Sequence, residues 1–481
     1  MTNDTRHARW ARFRFSVIGP LLAAPPGRGE LRAALEALAA KTWQHPITGE
    51  PVRFGRSTLE RWLYLARHAP RDPVSKLRRK LRSDAGQQPS LSQGLREVLR
   101  AQHRAHPGWS ATLHADNLAV IAAEHPELGA VPSASTVRRY LRAQGLVRER
   151  MKRGRRVARS PREVRSYEAE YVHGLWHADF HHGSRRVLEP DGRWQTPILL
   201  GVLDDASRIA PHLQWYLEET AQSFVHGLSQ AFQKWGLPRS LMTDNGPAML
   251  AQETRAGLER LGVVHETTLP YCPHQNAKQE VFWAQVEGRL LAMLEGVSEL
   301  TLSLLNEATH AWLEGEYHGT LHRELGTSPL ERFRNAPEVG RESPDAQALR
   351  RAFRAEVVRT PRRSDGTLSL EGRRFELPTR YRALRRVHVR YARWDLRSAD
   401  LVDPHTGATL AVLHPLDKRR NAERGRLALG PLASAARDEP PLQPADPGLA
   451  PLLRKLLADY AATGRPPAYV PLPSKKETPD E

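Results

Sequence analysis

The sequence predicts a multidomain protein: all-α modules first, a central α/β domain, and a small β-rich domain before the tail. Three observations predict it. At 481 residues the chain exceeds one ordinary domain. The net charge of +18 is segregated. Residues 1–165 hold 32 Lys+Arg against 13 Asp+Glu (+19), and the remaining 316 hold 40 against 41 (−1). Finally, the apolar period changes along the chain, from helical spacing to interleaved strands and helices and then to short strands. Hydrophobic content of 40% is ample for several cores. Cys272 is the sole cysteine, which rules out intramolecular disulfides and a cysteine-rich zinc site and suits a reducing compartment. No apolar run approaches membrane-spanning length and no apolar signal segment opens the chain, so a cytoplasmic, nucleoid-associated location without a membrane partner is expected.

A basic third on a near-neutral body is the footprint of a polyanion binder. Residues 1–70 form the first module, with helices expected over 12–24 and 30–43 and a third over 58–64 capped by Ser57. Arg56, Arg61 and Arg67 fall on the exposed side of that helix, as a helix-turn-helix reader of double-stranded DNA requires. A basic linker (71–89) leads to a second helix-turn-helix module (90–147), with helices over 91–105, 112–124 and 135–141. Its last helix carries Arg138, Arg139 and Arg142 as DNA contacts. The next linker (148–169) holds nine basic residues within 148–165, Lys152, Arg153, Arg155 and Arg156 among them. It reads either as a strap along phosphates or as a disordered solubilising run.

The central domain (170–335) alternates elements: strands over 173–181, 198–203 and 209–216, a helix over 220–235, a strand over 240–243, a helix over 248–261, a strand over 263–268, and a long helix over 276–294. Alternation along the first strand puts His177, Asp179 and His181 on one face and Trp176, Ala178 and Phe180 on the other. Asp244 ends a strand, and Asn245-Gly246 turns the chain away at once, at the sheet edge where α/β domains place ligands. Glu280 sits off the apolar stripe of the long helix (Phe282, Val286, Leu290, Met293). Three converging carboxylates would repel one another unless divalent ions lay between them. Two Mg²⁺ (or Mn²⁺) ions would clamp the attacking and leaving oxygens of an in-line phosphoryl transfer.

Trp176-His177-Ala178-Asp179-Phe180, the Ser207-Arg208 pair after Asp204-Asp205, Thr243-Asp244-Asn245-Gly246 and Pro273-His274-Gln275-Asn276 before Glu280, with 35 residues between Asp244 and Glu280 (280 − 244 − 1), resemble the DDE transposase and retroviral-integrase superfamily. The resemblance implies an RNase-H-like catalytic core in which Asp179, Asp244 and Glu280 are at once catalytic and metal-holding. His177, Asn245 and Asn276 would support them, and Lys278 would contact DNA. It departs at Ala277, where the family has glycine, and at Val281, where it often has arginine. Asp204 and Asp205 fall outside the triad. His318 and His322 stand at ligand-like i, i+4 spacing, though packing or a turn suits them better.

Residues 355–415 resemble the small β-barrel that follows the catalytic domain in Mu-type transposases. The tail (416–481) is basic, then proline-rich, with one amphipathic helix over 449–461 that could either dock a partner or fold back on the barrel. The resemblance implies a transposase that binds terminal inverted repeats, works as a homo-oligomer on paired ends, and recruits an AAA+ ATPase through that tail. The residues also admit a catalytically inactive DNA-binding descendant and an RNase-H-type nuclease.

Overall fold

The computed structural model describes residues 3–78, 89–146, 168–268, 277–417 and 448–465, in two compact units, Met1–Pro89 and Ser90–Glu481. In the first, helices Asn3–Ala23, Leu31–Ala40 and Arg56–Arg67 close over Val17, Ile18, Leu35, Leu59 and Leu63. The stretch with Pro46 and Gly49 is the turn of a two-residue ribbon pairing Trp43–Gln44 with Pro51–Val52. Gly49 adopts φ 77° there, which glycine accepts without strain. Gly55, with extended backbone, caps the third helix in place of the expected Ser57, and no side chain completes that cap.

In the second unit, helices Gln93–Ala105, Ala111–Glu124 and Ala134–Ala143 come first. Ser92 and Ser110 cap the first two by accepting from the N–H groups of Leu95 and Leu113. These helices are joined to the central sheet. Trp109 and Leu113 lie in the same core as the central sheet, the Trp109 indole donates to the Ala292 carbonyl at 2.8 Å, and Asp116 pairs with Arg289 at 2.7 Å.

The central sheet has five strands: β1 (Leu175–His182), β2 (Ile198–Asp204), β3 (His212–Tyr216), β4 (Ser240–Thr243) and β5 (Val264–Thr267), in the order β3-β2-β1-β4-β5. The first three pair antiparallel, and β4 and β5 join parallel. Helices α1 (Ala221–Trp235) and α2 (Gln252–Arg260) lie in the chain on either side of β4. Alternate residues of β2 serve different cores, which is why all seven are buried. Leu200 and Val202 pack with Phe224 and Phe232 of α1, whereas Leu199 and Leu203 pack with Phe282, Val286 and Trp312. Helix α3 (Ala277–Gln285) runs into a π-helical stretch, Val286–Leu291, where one continuous α-helix was expected. Helix α4 (Leu302–Gly315) follows.

Two expectations for the C-terminal third are corrected. The strands Ala355–Arg359, Val387–Ala392, Asp395–Val402 and Thr409–Leu413 make an open antiparallel sheet. The hairpin Thr367–Leu370/Arg373–Glu376 shares its core but is linked to it by an isolated bridge, Phe375 to Pro415. Among the described residues no ring of hydrogen bonds closes this into a barrel. Short strands with glycine turns suit an open sheet and a barrel equally, so periodicity could not separate them.

The tail helix α5 (Pro451–Ala462) neither presents its apolar face nor returns to the β-rich domain. Leu449, Leu453 and Leu456 are buried in the core that holds α4 and Trp109. The buried Asn117 Oδ1 accepts from the Leu452 N–H at 2.9 Å at the start of α5. An apolar stripe specifies burial but not by what, and α4 and the Ala111–Glu124 helix supply the cover. The feature that suggested an ATPase dock is therefore spent inside the fold. No helix among the described residues is long and apolar enough to cross a membrane.

Candidate active site

Parallel pairing of β1 and β4 aligns Ala178 with Thr243. The next residue on each strand is an aspartate, so Asp179 and Asp244 stand side by side on strands about 4.8 Å apart. Asp244 accepts from the Gly246 N–H at 2.9 Å, and Asn245 Nδ2 donates to the Thr268 carbonyl at 3.1 Å, which shapes the turn. A methyl group on Gly246 would lie 2.9 Å from Asp244 Oδ1 and 3.4 Å from Glu219 Oε1. A fourth carboxylate thus borders the site.

Burial pushes Asp179 up to about 6; the Trp283 indole N–H pulls against it, the neighbouring Asp244 adds to the rise, and the Phe180 N–H and His181 lower it less. Among the described residues no Lys or Arg pairs with Asp179 or Asp244. The contact to Asp179 is a long one from the Trp283 indole N–H, 3.4 Å from Oδ2. Gly201 faces Asp179 across β1 and β2, and its missing side chain is what admits the Trp283 ring, which any Cβ there would strike. The imidazole of His181 stacks on Trp283 (centroids 5.2 Å apart, planes at 14°) and bonds Glu287 at 2.9 Å. Glu287 also accepts from the Ser184 hydroxyl. Gln279, buried, donates to the Gly201 carbonyl at 3.0 Å and fixes the start of α3 against β2.

Glu280 lies in the first turn of α3, exposed, one helical turn before Trp283. Its neighbour Asn276 is outside the described residues. Among the described residues no group of three or more His, Cys, Asp or Glu side chains is gathered tightly enough to hold a metal ion. The structure therefore brings Asp179 and Asp244 together and leaves the Glu280 carboxyl apart. The site nevertheless suits a hard divalent ion: its donors are carboxylate oxygens, one of them buried, and no Lys or Arg among the described residues answers them.

The second acid pair contrasts with it. Asp204 Oδ1 accepts from the Ser207 N–H (2.8 Å) and hydroxyl (2.6 Å), and Oδ2 from the His173 N–H (2.8 Å). Asp205 takes the Ala169 N–H at 2.6 Å and binds His177 Nε2 at 2.9 Å and Lys278 Nζ at 2.5 Å. Burial alone would raise Asp205, but His177, Lys278 and Ala169 outweigh it and hold the group well below the carboxylate range. Lys278 is thus engaged with Asp205, and His177 serves that aspartate.

Of the arginines expected on DNA, Arg56, Arg61 and Arg67 are exposed in the first unit, and Arg138, Arg139 and Arg142 in the second. Arg56 lies 3.8 Å from Glu60, and Arg139 bonds the Thr136 hydroxyl. Lys152, Arg153, Arg155 and Arg156 are outside the described residues. His318 is buried and accepts from the Ala210 N–H at 3.3 Å, while His322 bridges Thr327. Sequence reasoning missed Trp283, Gly201 and Glu219. The i, i+3 spacing from Glu280 to Trp283 was visible, but the pairing of Asp179 with Gly201 needs the sheet register.

Residues 170–273 match the integrase core domain, a span that contains Asp179 and Asp244 and ends before Glu280. The mouse IgE-binding protein is 30% identical over 116 residues, 21% of this chain and 20% of that protein. The Pol-related polyprotein of the mouse intracisternal A-particle MIA14 is 40% identical over 55 residues, 11% and 6% of the two. The chain spans a fifth or less of the length of these curated relatives. Among solved structures, the trimeric HTLV-2 integrase catalytic core domain in complex with magnesium is 19% identical with a TM-score of 0.28, covering 35% of this chain and 99% of that one. The simian T-cell lymphotropic virus intasome with a PP2A regulatory subunit is 15% identical with a TM-score of 0.33, covering 62% and 95%.

Proposed function

We propose that this chain, whose residues 170–273 place it in the DDE integrase and transposase-like superfamily, is a DNA transposase that cleaves transposon 3′ ends and joins them to target DNA. The observation that carries the reading is the pair Asp179 and Asp244, set side by side by parallel register with no Lys or Arg partner among the described residues. Two Mg²⁺ or Mn²⁺ ions held there would activate a water or a DNA 3′-hydroxyl and take up charge on the leaving oxygen. Asp179 and Asp244 would hold the ions, with Glu280 as the third carboxylate. Trp283 orients the Asp179 carboxylate, and the His181–Glu287 pair steadies Trp283 from behind. The exposed arginines of both helical modules hold the ends through phosphates and base edges, giving a salt-dependent affinity for terminal repeats. Paired ends call for a homo-oligomer.

The test is joining of labelled, repeat-ended DNA to a plasmid in Mg²⁺ by the full chain. Asp179→Asn, Asp244→Asn and Glu280→Gln each abolish joining while binding of the labelled ends persists. Normal joining by any of the three removes that residue from the mechanism. Cleavage of RNA–DNA hybrids without joining marks an RNase-H-type nuclease instead, and end binding without chemistry marks an inactive descendant.

A further inference from the structure

Asp205 follows directly on β2 and reaches both the strand that carries Asp179 and the helix that carries Glu280. We propose that Asp205 and Lys278 form a positioning pair, which ties β1 to α3 through the residue two places before Asp179 and the residue two places before Glu280. This rests on the reading above and adds to it a pair that touches neither metal nor DNA.

One oxygen holds the two elements. Asp205 Oδ1 takes His177 Nε2 at 2.9 Å and Lys278 Nζ at 2.5 Å, while Oδ2 accepts from the Ala169 N–H at 2.6 Å. The Asp205 N–H donates to the Leu175 carbonyl at 2.9 Å, so the residue is set against β1 by its backbone as well. The carboxylate is buried, and a buried charge cut off from its partners carries its full desolvation cost, which makes the grip hard to release. On β1, His177 and Asp179 share a face, so the bond that fixes one also sets the face of the other.

On α3 the constraint is rotational. At 3.6 residues per turn, neighbouring side chains point about 100° apart, and Lys278 lies about 200° round from Glu280. Lys278 is held at Asp205, and Gln279 at the Gly201 carbonyl, 3.0 Å away. One anchor leaves a helix free to turn about its axis, whereas two in adjacent positions do not. Glu280 comes next, so the direction in which its carboxylate leaves the helix follows from both anchors. Trp283, one turn further on that side, is the residue whose indole reaches Asp179. The Lys278 side chain is only 20% exposed and is spent on a buried acid, which suits a clamp better than a phosphate contact.

The test is titration of the full chain with Mn²⁺ by calorimetry, in wild type, Lys278→Met, Lys278→Arg, Glu280→Gln and the double variant Lys278→Met/Glu280→Gln. Lys278→Met leaves Asp205 its bonds to His177 and Ala169, and melting checks that the fold is kept; Lys278→Arg keeps a cation on Asp205. Affinity falls about ten-fold in Lys278→Met, as for other groups that orient metal-holding side chains, and stays at the wild-type value in Lys278→Arg. Adding Lys278→Met to Glu280→Gln costs nothing further, because the effect travels through that carboxylate. A merely structural lysine gives a loss that persists without Glu280, and that result overturns the proposal, as does a wild-type affinity in Lys278→Met or an equal loss in Lys278→Arg. Binding of a labelled repeat-ended duplex keeps its salt dependence in Lys278→Met. A slope of log affinity against log salt smaller by about one assigns the charge to a phosphate and also overturns it. A wild-type chain that takes up no Mn²⁺ removes the two-ion reading itself, and the proposal with it.

Discussion

Two pairs of aspartates serve one sheet and live in opposite circumstances. Asp204 and Asp205 at the end of β2 are almost wholly buried, yet every charge is answered by N–H groups, a hydroxyl, a histidine or a lysine. Asp179, midway along β1, and Asp244, just after β4, have no Lys or Arg partner among the described residues, and what reaches them is one long indole contact and backbone N–H groups. Satisfied acids hold a turn. Unsatisfied acids side by side are unfavourable unless something from solution is to join them. The difference separates carboxylates satisfied within the fold from carboxylates that are not, and it rests on partners rather than on burial, since the satisfied pair is the more buried.

The largest effect should come from removing one member of each pair. Asp205→Asn leaves Lys278 and His177 without their common partner and costs about 3–5 kcal/mol of stability, read by chemical denaturation. Asp179→Asn removes a charge the fold does not neutralise and should leave metal-free stability unchanged or raised, with joining abolished. Similar losses of stability in both variants would erase the distinction drawn between the pairs.

How much of this was legible beforehand follows the same division. The chain shows the β1 alternation, the turn at Asn245-Gly246 and the acid spacing, because strand period and turn chemistry are local. It does not show the Ala178–Thr243 register, which places Asp179 beside Asp244, nor the Gly201 gap that admits Trp283; both belong to pairings between distant segments. The tail illustrates the same limit. Leu453 and Leu456 announced an apolar face, while the choice of α4 as its cover was set by the assembled core. Lys278 looked like a cation for DNA because nothing in sequence links it to Asp205, 73 residues away.

A smaller effect sharpens the comparison through pH. Asp179 is raised to about 6 from an ordinary value near 3.8, so the folded, metal-free chain holds that proton more tightly than the unfolded one. Its stabilising share is complete below about pH 4 and is lost as pH climbs through 6, a change of order 1–2 kcal/mol given its partial exposure. Melting of wild type minus Asp179→Asn across pH 4–7 should decline over that window without Mg²⁺ and flatten with it. Asp205, held low by its partners, contributes nothing there. A difference that is flat in both conditions would mean that Asp179 is already neutralised within the protein.

The smallest predicted effect falls on Trp283. Trp283→Phe keeps a ring over Gly201 and the stack with His181 and deletes the N–H that faces Asp179. That N–H favours the charged carboxylate, so its loss should raise the Asp179 midpoint and weaken binding of Mn²⁺, measured by calorimetry, by about ten-fold, as for other groups that orient metal-holding side chains. Thermal stability should move little, because the packing is retained. A ring that merely fills space would leave both the Mn²⁺ affinity and the pH midpoint where they are in the wild type. Gly201→Ala supplies the complementary perturbation: its new methyl strikes the ring itself, so stability and metal affinity should fall together. Separate behaviour of these two variants is what distinguishes an indole that aims Asp179 from one that only packs beside it.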